Sequence, residues 1–175
     1  EGLALGVQGE AGADTSGAGS ALIDTAHKFV TPSLSPDGRQ VALVNADVTT
    51  TPDIWLADLA RKTMTRLTFG KSGEQAVGPV WTPDGKRVIY SLSSGNSNKL
   101  LSKAADGSGS EETLFSSENG LTPTAISPDG RLLVFGSRRG TEQRNLWLLE
   151  MAGEQLAQAR TAGRTLAHHD SDADD

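Results

Sequence analysis

The stretch SPDGRQVALV, residues 35–44, returns twice along the chain with small changes. The second copy is TPDGKRVIYS and the third is SPDGRLLVFG. Pro36 and Pro83 lie 47 residues apart, and Pro83 and Pro128 lie 45 residues apart. A steady period of this length indicates a repeat architecture, in which each copy is one supersecondary unit.

The Pro-Asp-Gly step of each copy predicts a tight turn. Proline presets φ for the first central position of a type I turn, aspartate suits the second, and glycine takes the left-handed position that follows. Such a turn joins two antiparallel strands. Gly38, Gly85 and Gly130 are therefore interpreted as structural. Aspartate is preferred at this turn position and caps nearby backbone N–H groups, so we expect turn caps rather than a carboxylate ring at Asp37, Asp84 and Asp129.

Four strands are predicted in each repeat. The first are TPSLS, GPVWT and TPTAIS, and the second, QVALV, RVIYS and LLVFG, are apolar enough to be buried on both faces. The third strands are DIWLADL, KLLSKAA and NLWLLEM, and the fourth are MTRLTF and EETLF. Four short antiparallel strands in about 45 residues predict a propeller blade.

Residues 29–151 resemble a known repeat. The run PSLSPDGRQVALV, DIWLADLARKTMTRLTF, PVWTPDGKRVIYS is similar to the TolB-type, WD40-like beta-propeller repeat. It is most similar to the copies that follow bacterial serine/threonine protein kinase domains. The resemblance implies an all-β partial propeller of about three four-stranded antiparallel blades with flexible termini, and a periplasmic or extracytoplasmic location. We expect the chain to be a fragment of a larger protein.

The predicted organisation follows the repeats. Residues 1–19 are a glycine-rich lead-in and residues 20–28 a candidate outer strand of a preceding blade. Blade 1 covers residues 29–76, blade 2 residues 77–119, and an incomplete blade 3 residues 120–152. Residues 153–175 are expected to be helical or disordered.

Composition excludes several classes of function. The 16 Lys and Arg residues are outnumbered by 22 Asp and Glu, which argues against a nucleic-acid footprint. No apolar run approaches the roughly 20 residues of a membrane span, so no insertion by this segment is expected. The absence of cysteine excludes disulfides and thiolate metal sites.

No residue is assigned a catalytic, cofactor-binding or metal-binding role. The segment FGKSG, residues 69–73, lacks the first glycine of a phosphate-binding loop, and neither a Gly-x-Ser-x-Gly elbow nor a kinase motif occurs. The C-terminal HHDSDADD carries ligand-type side chains, but a metal site needs fixed geometry and is not expected there. His27 is interpreted as a surface or edge residue.

The tryptophans divide into two groups. Trp55 and Trp147 occupy equivalent places in their repeats and are expected to pack between neighbouring blades. Trp81 lies on a first strand, which in the family that the chain resembles lies closest to the central channel. We therefore predict a partly exposed, partner-binding Trp81.

Two functions remain open from the sequence. The first is a non-catalytic interaction or sensor module, part of a TolB-like or kinase-fused protein, that binds a protein or peptide. The alternative is the substrate-gating propeller of a prolyl-oligopeptidase-family serine hydrolase, whose catalytic residues lie in a separate domain.

Open blade edges also predict self-association. Three blades would leave apolar faces uncovered at residues 29–44 and 132–149. Two arcs related by a two-fold axis would close the six-bladed ring expected of the TolB-type propeller. The alternatives are aggregation and a glycine-rich lead-in that folds over one edge.

Overall fold

The computed structural model describes residues 28–47, 51–140 and 145–151. These residues form eleven strands and no helix. The strands are β1 (Phe29–Leu34), β2 (Gln40–Asn45), β3 (Asp53–Asp58), β4 (Thr63–Arg66), β5 (Glu74–Trp81), β6 (Arg87–Ser94), β7 (Ser97–Ala104), β8 (Glu112–Ser117), β9 (Gly120–Ile126), β10 (Leu132–Arg138) and β11 (Asn145–Glu150).

The strands form three antiparallel sheets in chain order. Blade 1 has the order β1-β2-β3-β4, blade 2 has β5-β6-β7-β8, and blade 3 has β9-β10-β11. The prediction of an all-β partial propeller is confirmed. The predicted lead-in, preceding outer strand and C-terminal tail lie outside the described residues, apart from Lys28.

The turns have the predicted conformation. Gly38, Gly85 and Gly130 have φ of 69°, 68° and 72°. Each donates its backbone N–H to the carbonyl three residues earlier, at 2.8–2.9 Å. An L-residue with a side chain rarely adopts this φ, so glycine is required here for a backbone reason.

Strand β5 begins earlier than the predicted start of blade 2. It starts at Glu74, whereas the sequence places the boundary at residue 77. The pairing of β5 with β6 is interrupted by a bulge between Val77 and Val80, and Gly78 within it has φ of 66°. Because Gly-Pro reads as a strand boundary in sequence, the part of β5 before the bulge was missed.

Two apolar cores hold the blades together. The core between blades 1 and 2 combines Val44 and Ile54 with Val88 and Tyr90, all at most 1% exposed. The core between blades 2 and 3 combines Ile89 and Leu100 with a group from blade 3: Leu121, Leu133, Phe135 and Leu149. Successive residues of β6 therefore enter different cores, as the period of two of a strand dictates.

The two outer faces of the arc differ, and one expectation was wrong. The outer face of blade 1 was predicted to be uncovered, but Phe29, Val41 and Leu43 are 8%, 7% and 0% exposed. They form a third apolar cluster with Ala57 and the partly buried Trp55. The outer face of blade 3 is exposed as predicted, with Leu146 at 53% and Leu148 at 38%.

Replacing Gly85 by valine tests the turn. A β-branched residue at φ of 68° is strained, although the nearest atom to its Cβ, Pro36 Cδ, is 3.8 Å away and leaves room. We expect Gly85→Val to lower the free energy of unfolding by about 2 kcal/mol. Gly85→Asn is the control, because asparagine tolerates the left-handed region. A Val variant that melts at the wild-type temperature would contradict the turn geometry.

Candidate partner-binding surface

The three Pro-Asp-Gly turns lie side by side at one end of the sheets. A Cβ built on Gly85 would stand 3.8 Å from Pro36 Cδ, and one built on Gly130 would stand 3.8 Å from Pro83 Cδ. The glycine of the second and third turns thus packs beside the proline of the preceding one. We call this surface, residues 35–40, 82–87 and 127–132, the turn row.

A polar network orders each turn. In the first, Ser35 Oγ donates to Asp37 Oδ1 at 2.6 Å, and the backbone N–H of Arg39 donates to the same oxygen at 3.0 Å. The backbone N–H of Gln40 donates to Ser35 Oγ at 2.9 Å. The carboxylate therefore caps the turn, as predicted.

The same network recurs in the other two turns. Thr82 Oγ1 donates to Asp84 Oδ1 at 2.6 Å and accepts from the N–H of Arg87 at 3.0 Å. Ser127 Oγ donates to Asp129 Oδ1 at 2.5 Å and accepts from the N–H of Leu132 at 3.0 Å. The sequence position before proline, Ser or Thr, is thus part of the turn, which the sequence analysis did not recognise.

These hydrogen bonds lower the pKa of all three aspartates. The hydroxyl of Ser35, Thr82 or Ser127 is the largest cause, followed by a backbone N–H two residues after the aspartate. Both stabilise the carboxylate over the protonated acid. At neutral pH the turn row therefore carries three fixed negative charges.

A cleft of about 1210 Å³ opens beside the turn row between blades 2 and 3. Its walls are residues 82–87, 104–106 and 128–131, with Gln40 and Met151. Three aspartates and three cations line it: Asp84, Asp106, Asp129, Lys86, Arg87 and Arg131. The balanced charge makes it a mixed polar surface rather than an anion trap.

Arg87 is held in place on one wall of this cleft. Its Nε donates to Ser102 Oγ at 2.7 Å, and its Nη2 lies 3.3 Å from Glu112 Oε2. A second bond runs from Nη2 to the carbonyl of Ser102 at 3.2 Å. Ser102 and Glu112 of the same blade therefore fix the guanidinium.

The predicted exposure of Trp81 was wrong. Trp81 is 5% exposed and belongs to the core between blades 1 and 2. Its indole N–H donates to the carbonyl of Ser33 on the neighbouring blade at 2.9 Å. The residue joins two inner strands, and we do not carry it into the proposed binding surface.

The other two tryptophans pack in different clusters. Trp147 packs between blades 2 and 3, as predicted. Trp55 lies on the face of blade 1 directed away from blade 2, in the cluster of Phe29, Val41 and Leu43. The alternation along β3 sends Trp55 outward and its neighbours Ile54 and Leu56 inward.

A buried carboxylate that the sequence analysis missed orders the loop between β4 and β5. Asp53 is 2% exposed and accepts from Thr68 Oγ1 at 2.6 Å and from the N–H of Gly70 at 3.0 Å, and it pairs with Arg66. The segment FGKSG is thus a pinned loop that presents Phe69, 69% exposed, beneath the Arg66 guanidinium at 4.9 Å. The one sequence signal is Asp53 itself, which stands where the other repeats have Lys99 and Asn145.

Within residues 28–47, 51–140 and 145–151, no three His, Asp or Glu side chains are grouped so that they could hold a metal ion. Over the same ranges there is no helix long and apolar enough to span a membrane. His27 and the C-terminal HHDSDADD lie outside these ranges.

The row of near-identical blades matches a known family. The sequence model for the TolB beta propeller domain matches residues 13–169. The chain belongs to the TolB beta propeller domain family. The three sheets and the turn row are thus blades and loops of a TolB-type propeller.

Known TolB proteins are longer than this chain. The Tol-Pal system protein TolB of Anaeromyxobacter dehalogenans strain 2CP-C is 33% identical over 98 residues, which are 55% of this chain and 21% of that protein. The chain therefore spans about a fifth of the length of the curated relatives it matches.

Solved structures agree on the fold. A TolB from Agrobacterium tumefaciens superposes with a TM-score of 0.65 at 24% identity, over 77% of this chain and 50% of that one. A structure from a study of two prolyl endopeptidases gives a TM-score of 0.62 at 17% identity, over 79% of this chain and 24% of that one. At these identities the likeness shows the fold alone.

Acid should weaken the fold through the turn aspartates. Their folded-state pKa is lowered, so their stabilising effect is present above the ordinary value of 3.8 and is lost as pH falls through the folded-state pKa. We expect the free energy of unfolding, measured by urea titration, to fall steadily below about pH 4. Asp84→Asn should show a smaller fall, and an unchanged pH slope in that variant would contradict the assignment.

Trp81 is predicted to stabilise the blade contact through its N–H. Trp81→Phe removes the bond to the Ser33 carbonyl and should cost about 1 kcal/mol of unfolding free energy beyond the packing loss. Trp147→Phe is the matched control, since the Trp147 Nε1 is buried without a hydrogen-bond partner. Equal losses in the two variants, measured by chemical denaturation, would show that the Ser33 bond contributes nothing.

Proposed function

We propose that this chain is a non-catalytic interaction module that binds a protein or peptide segment along the turn row and its cleft. The observation that carries the proposal is the stacking of three near-identical turns into one continuous surface, each turn ordered by its own hydrogen bonds. Membership of the TolB propeller family supports a protein partner.

Preorganisation makes this surface suited to binding. Gly85 and Gly130 pack beside prolines of neighbouring blades, and the aspartates bond to hydroxyl and backbone donors before any ligand arrives. A rigid surface loses little conformational entropy on association, so more of the contact energy contributes to affinity.

The charge pattern favours a polypeptide ligand. Alternating carboxylates and cations across the cleft can accept and donate hydrogen bonds to peptide groups and to side chains of both signs. The cations of the cleft are matched by Asp84, Asp106 and Asp129, so a polyanion such as a nucleic acid would gain little net attraction there.

The setting that we propose is an extracytoplasmic protein. The curated relatives are proteins of the Tol-Pal system, so a component of that type is one candidate partner. From the sequence resemblance we also propose that this propeller is a sensor module of a protein that carries a serine/threonine kinase domain.

The gating propeller of a prolyl-oligopeptidase-family hydrolase is the weaker alternative. The likeness to prolyl endopeptidases is one of fold, and no contact in the cleft favours it. A hydrolase domain with a Gly-x-Ser-x-Gly elbow in the neighbouring coding sequence would support this alternative. A kinase domain and a membrane helix upstream would support the interaction module.

Selection from a phage-displayed random peptide library tests the proposal. We expect enriched peptides to bind the wild-type chain and to lose at least about tenfold in affinity for a Lys86→Glu/Arg131→Glu variant, because both reversals lie on the cleft. Lys99→Glu is the control, since Lys99 is exposed near the opposite end of β7.

Two results would overturn this function. The first is equal affinity of the selected peptides for the cleft variant and for the wild type, which would show that they bind outside the cleft. The other is cleavage of the selected peptides by the purified chain, detected by mass spectrometry, which would show that the module is catalytic.

A further inference from the structure

A phenylalanine side chain is displayed on the loop between β4 and β5. Phe69 is 69% exposed, more than any other large apolar side chain in the described part of the chain. The two residues before it, Leu67 and Thr68, are each 2% exposed, so the chain turns outward at this position. The ring lies outside the three apolar clusters, and packing does not account for a phenylalanine here.

The loop holds Phe69 in a fixed position. Thr68 Oγ1 donates to Asp53 Oδ1 at 2.6 Å, and the N–H of Gly70 donates to the same oxygen at 3.0 Å. Arg66 Nε donates to the carbonyl of Thr68 at 2.8 Å. The residues on both sides of Phe69 are thus fixed to blade 1, so this backbone need not become ordered when a partner binds.

The loop lies at the joint of blades 1 and 2, because it leaves β4 and enters β5. Lys103 of blade 2 reaches across the joint and places its Nζ 5.9 Å from the centre of the Phe69 ring. A further blade would pack on the outer face of blade 1 or of blade 3 and would leave this joint open. Asp53 lies opposite Asn45, at the end of blade 1 away from the turn 35–40. Phe69 is therefore separate from the turn row.

Cations surround the exposed ring. The Arg66 guanidinium lies over the ring of Phe69 at 4.9 Å, and Lys103 Nζ lies nearby from the other blade. Lys71 follows two residues later and is exposed. An apolar group and three positive groups thus share one surface.

The neighbouring carboxylates are buried or already engaged. Asp53 is 2% exposed and pairs with Arg66. Glu111 Oε1 lies 3.5 Å from Lys103 Nζ, and Glu74 Oε2 accepts from the backbone N–H of Lys71 at 2.8 Å. Among the residues that the structure describes, no carboxylate pairs with the Lys71 ammonium group. The outward side of this surface is therefore positive around an apolar centre.

We propose that this surface, named the rim patch and formed by Arg66, Phe69, Lys71 and Lys103, binds an acidic protein segment that places an apolar side chain on Phe69. Aromatic residues and arginine are the residue types enriched in protein interfaces. Carboxylates of the segment would pair with Lys71 and with the exposed side of Arg66. The ring accepts any apolar group, and the cations around it select an acidic partner.

A lipid surface is the competing occupant, because membranes also take up aromatic rings beside cations. The described residues offer one exposed aromatic side chain, and the chain carries a net charge of −6. Stable attachment of a peripheral protein to a membrane needs stronger signals than these. A protein segment is therefore the favoured occupant.

Selection from a phage-displayed random peptide library on the Lys86→Glu/Arg131→Glu variant tests the rim patch. This background alters the turn-row cleft, so failure of the peptide site there leaves the present readout unchanged. We expect the enriched peptides to be rich in Asp and Glu, to contain a large apolar residue, and to bind the wild type equally well.

Two substitutions at the rim patch should weaken these peptides, as measured by isothermal titration calorimetry. We expect Phe69→Ala to lower the affinity at least about 30-fold and Lys71→Glu at least about tenfold. Both side chains are exposed, so both variants should fold, as their circular dichroism would show. The matched controls on blade 3, Leu146→Ala and Arg139→Glu, should leave the affinity unchanged.

Three outcomes would overturn the rim patch proposal. The first is a selection that yields no acidic peptides, and the second is equal affinity of the selected peptides for Phe69→Ala and its parent. The third is binding to vesicles of phosphatidylglycerol and phosphatidylcholine that is lost in Phe69→Ala, without any acidic peptide selected. That result would assign the patch to a membrane surface.

Discussion

Burial of both faces of the central strands is the constraint on which the rest of the structure depends. Val88, Ile89 and Tyr90 on β6 are each 0% exposed, although a single sheet standing alone would leave both faces of the strand in water. Each face is covered by a neighbouring blade, and apolar burial contributes roughly 25 cal/mol per Å². A blade of this sequence therefore requires neighbours, and the arc of three blades follows from that need.

The turn row follows from the same packing. Because the blades stack in register, their equivalent loops meet at one end, where Gly85 and Gly130 pack beside the prolines of the preceding blades. Packing of the blades in register thus produces both the stabilising core and the proposed binding surface. The buried Asp53 acts in a similar way at the outer rim, where it fixes the loop that presents Phe69.

The strands and turns were predictable because their signals are local. Proline, aspartate and glycine act within four residues, and the apolar runs of β2, β6 and β10 are continuous. The burial of Trp81 was not predictable, since it depends on which side of β5 faces blade 1 and on an acceptor at Ser33, 48 residues away. Likewise, Asp53 becomes recognisable only when Thr68, 15 residues later, is folded against it.

The burial of the outer face of blade 1 did not follow from the repeat pattern for a related reason. Repeat symmetry predicts equal exposure at both ends of the arc, whereas Leu43 is buried and Leu148 is exposed. A repeat pattern specifies the contacts between equivalent units, and it does not specify what packs at the ends.

Native-state hydrogen exchange of the individual backbone amides tests the central role of interblade packing most directly. If burial between blades holds the structure, the amides of Val88, Ile89 and Tyr90 in the middle blade should exchange slowest, through global unfolding. The amides of β4 and β11, at the sheet margins, should exchange faster. Slower exchange in these marginal strands than in β6 would contradict the account.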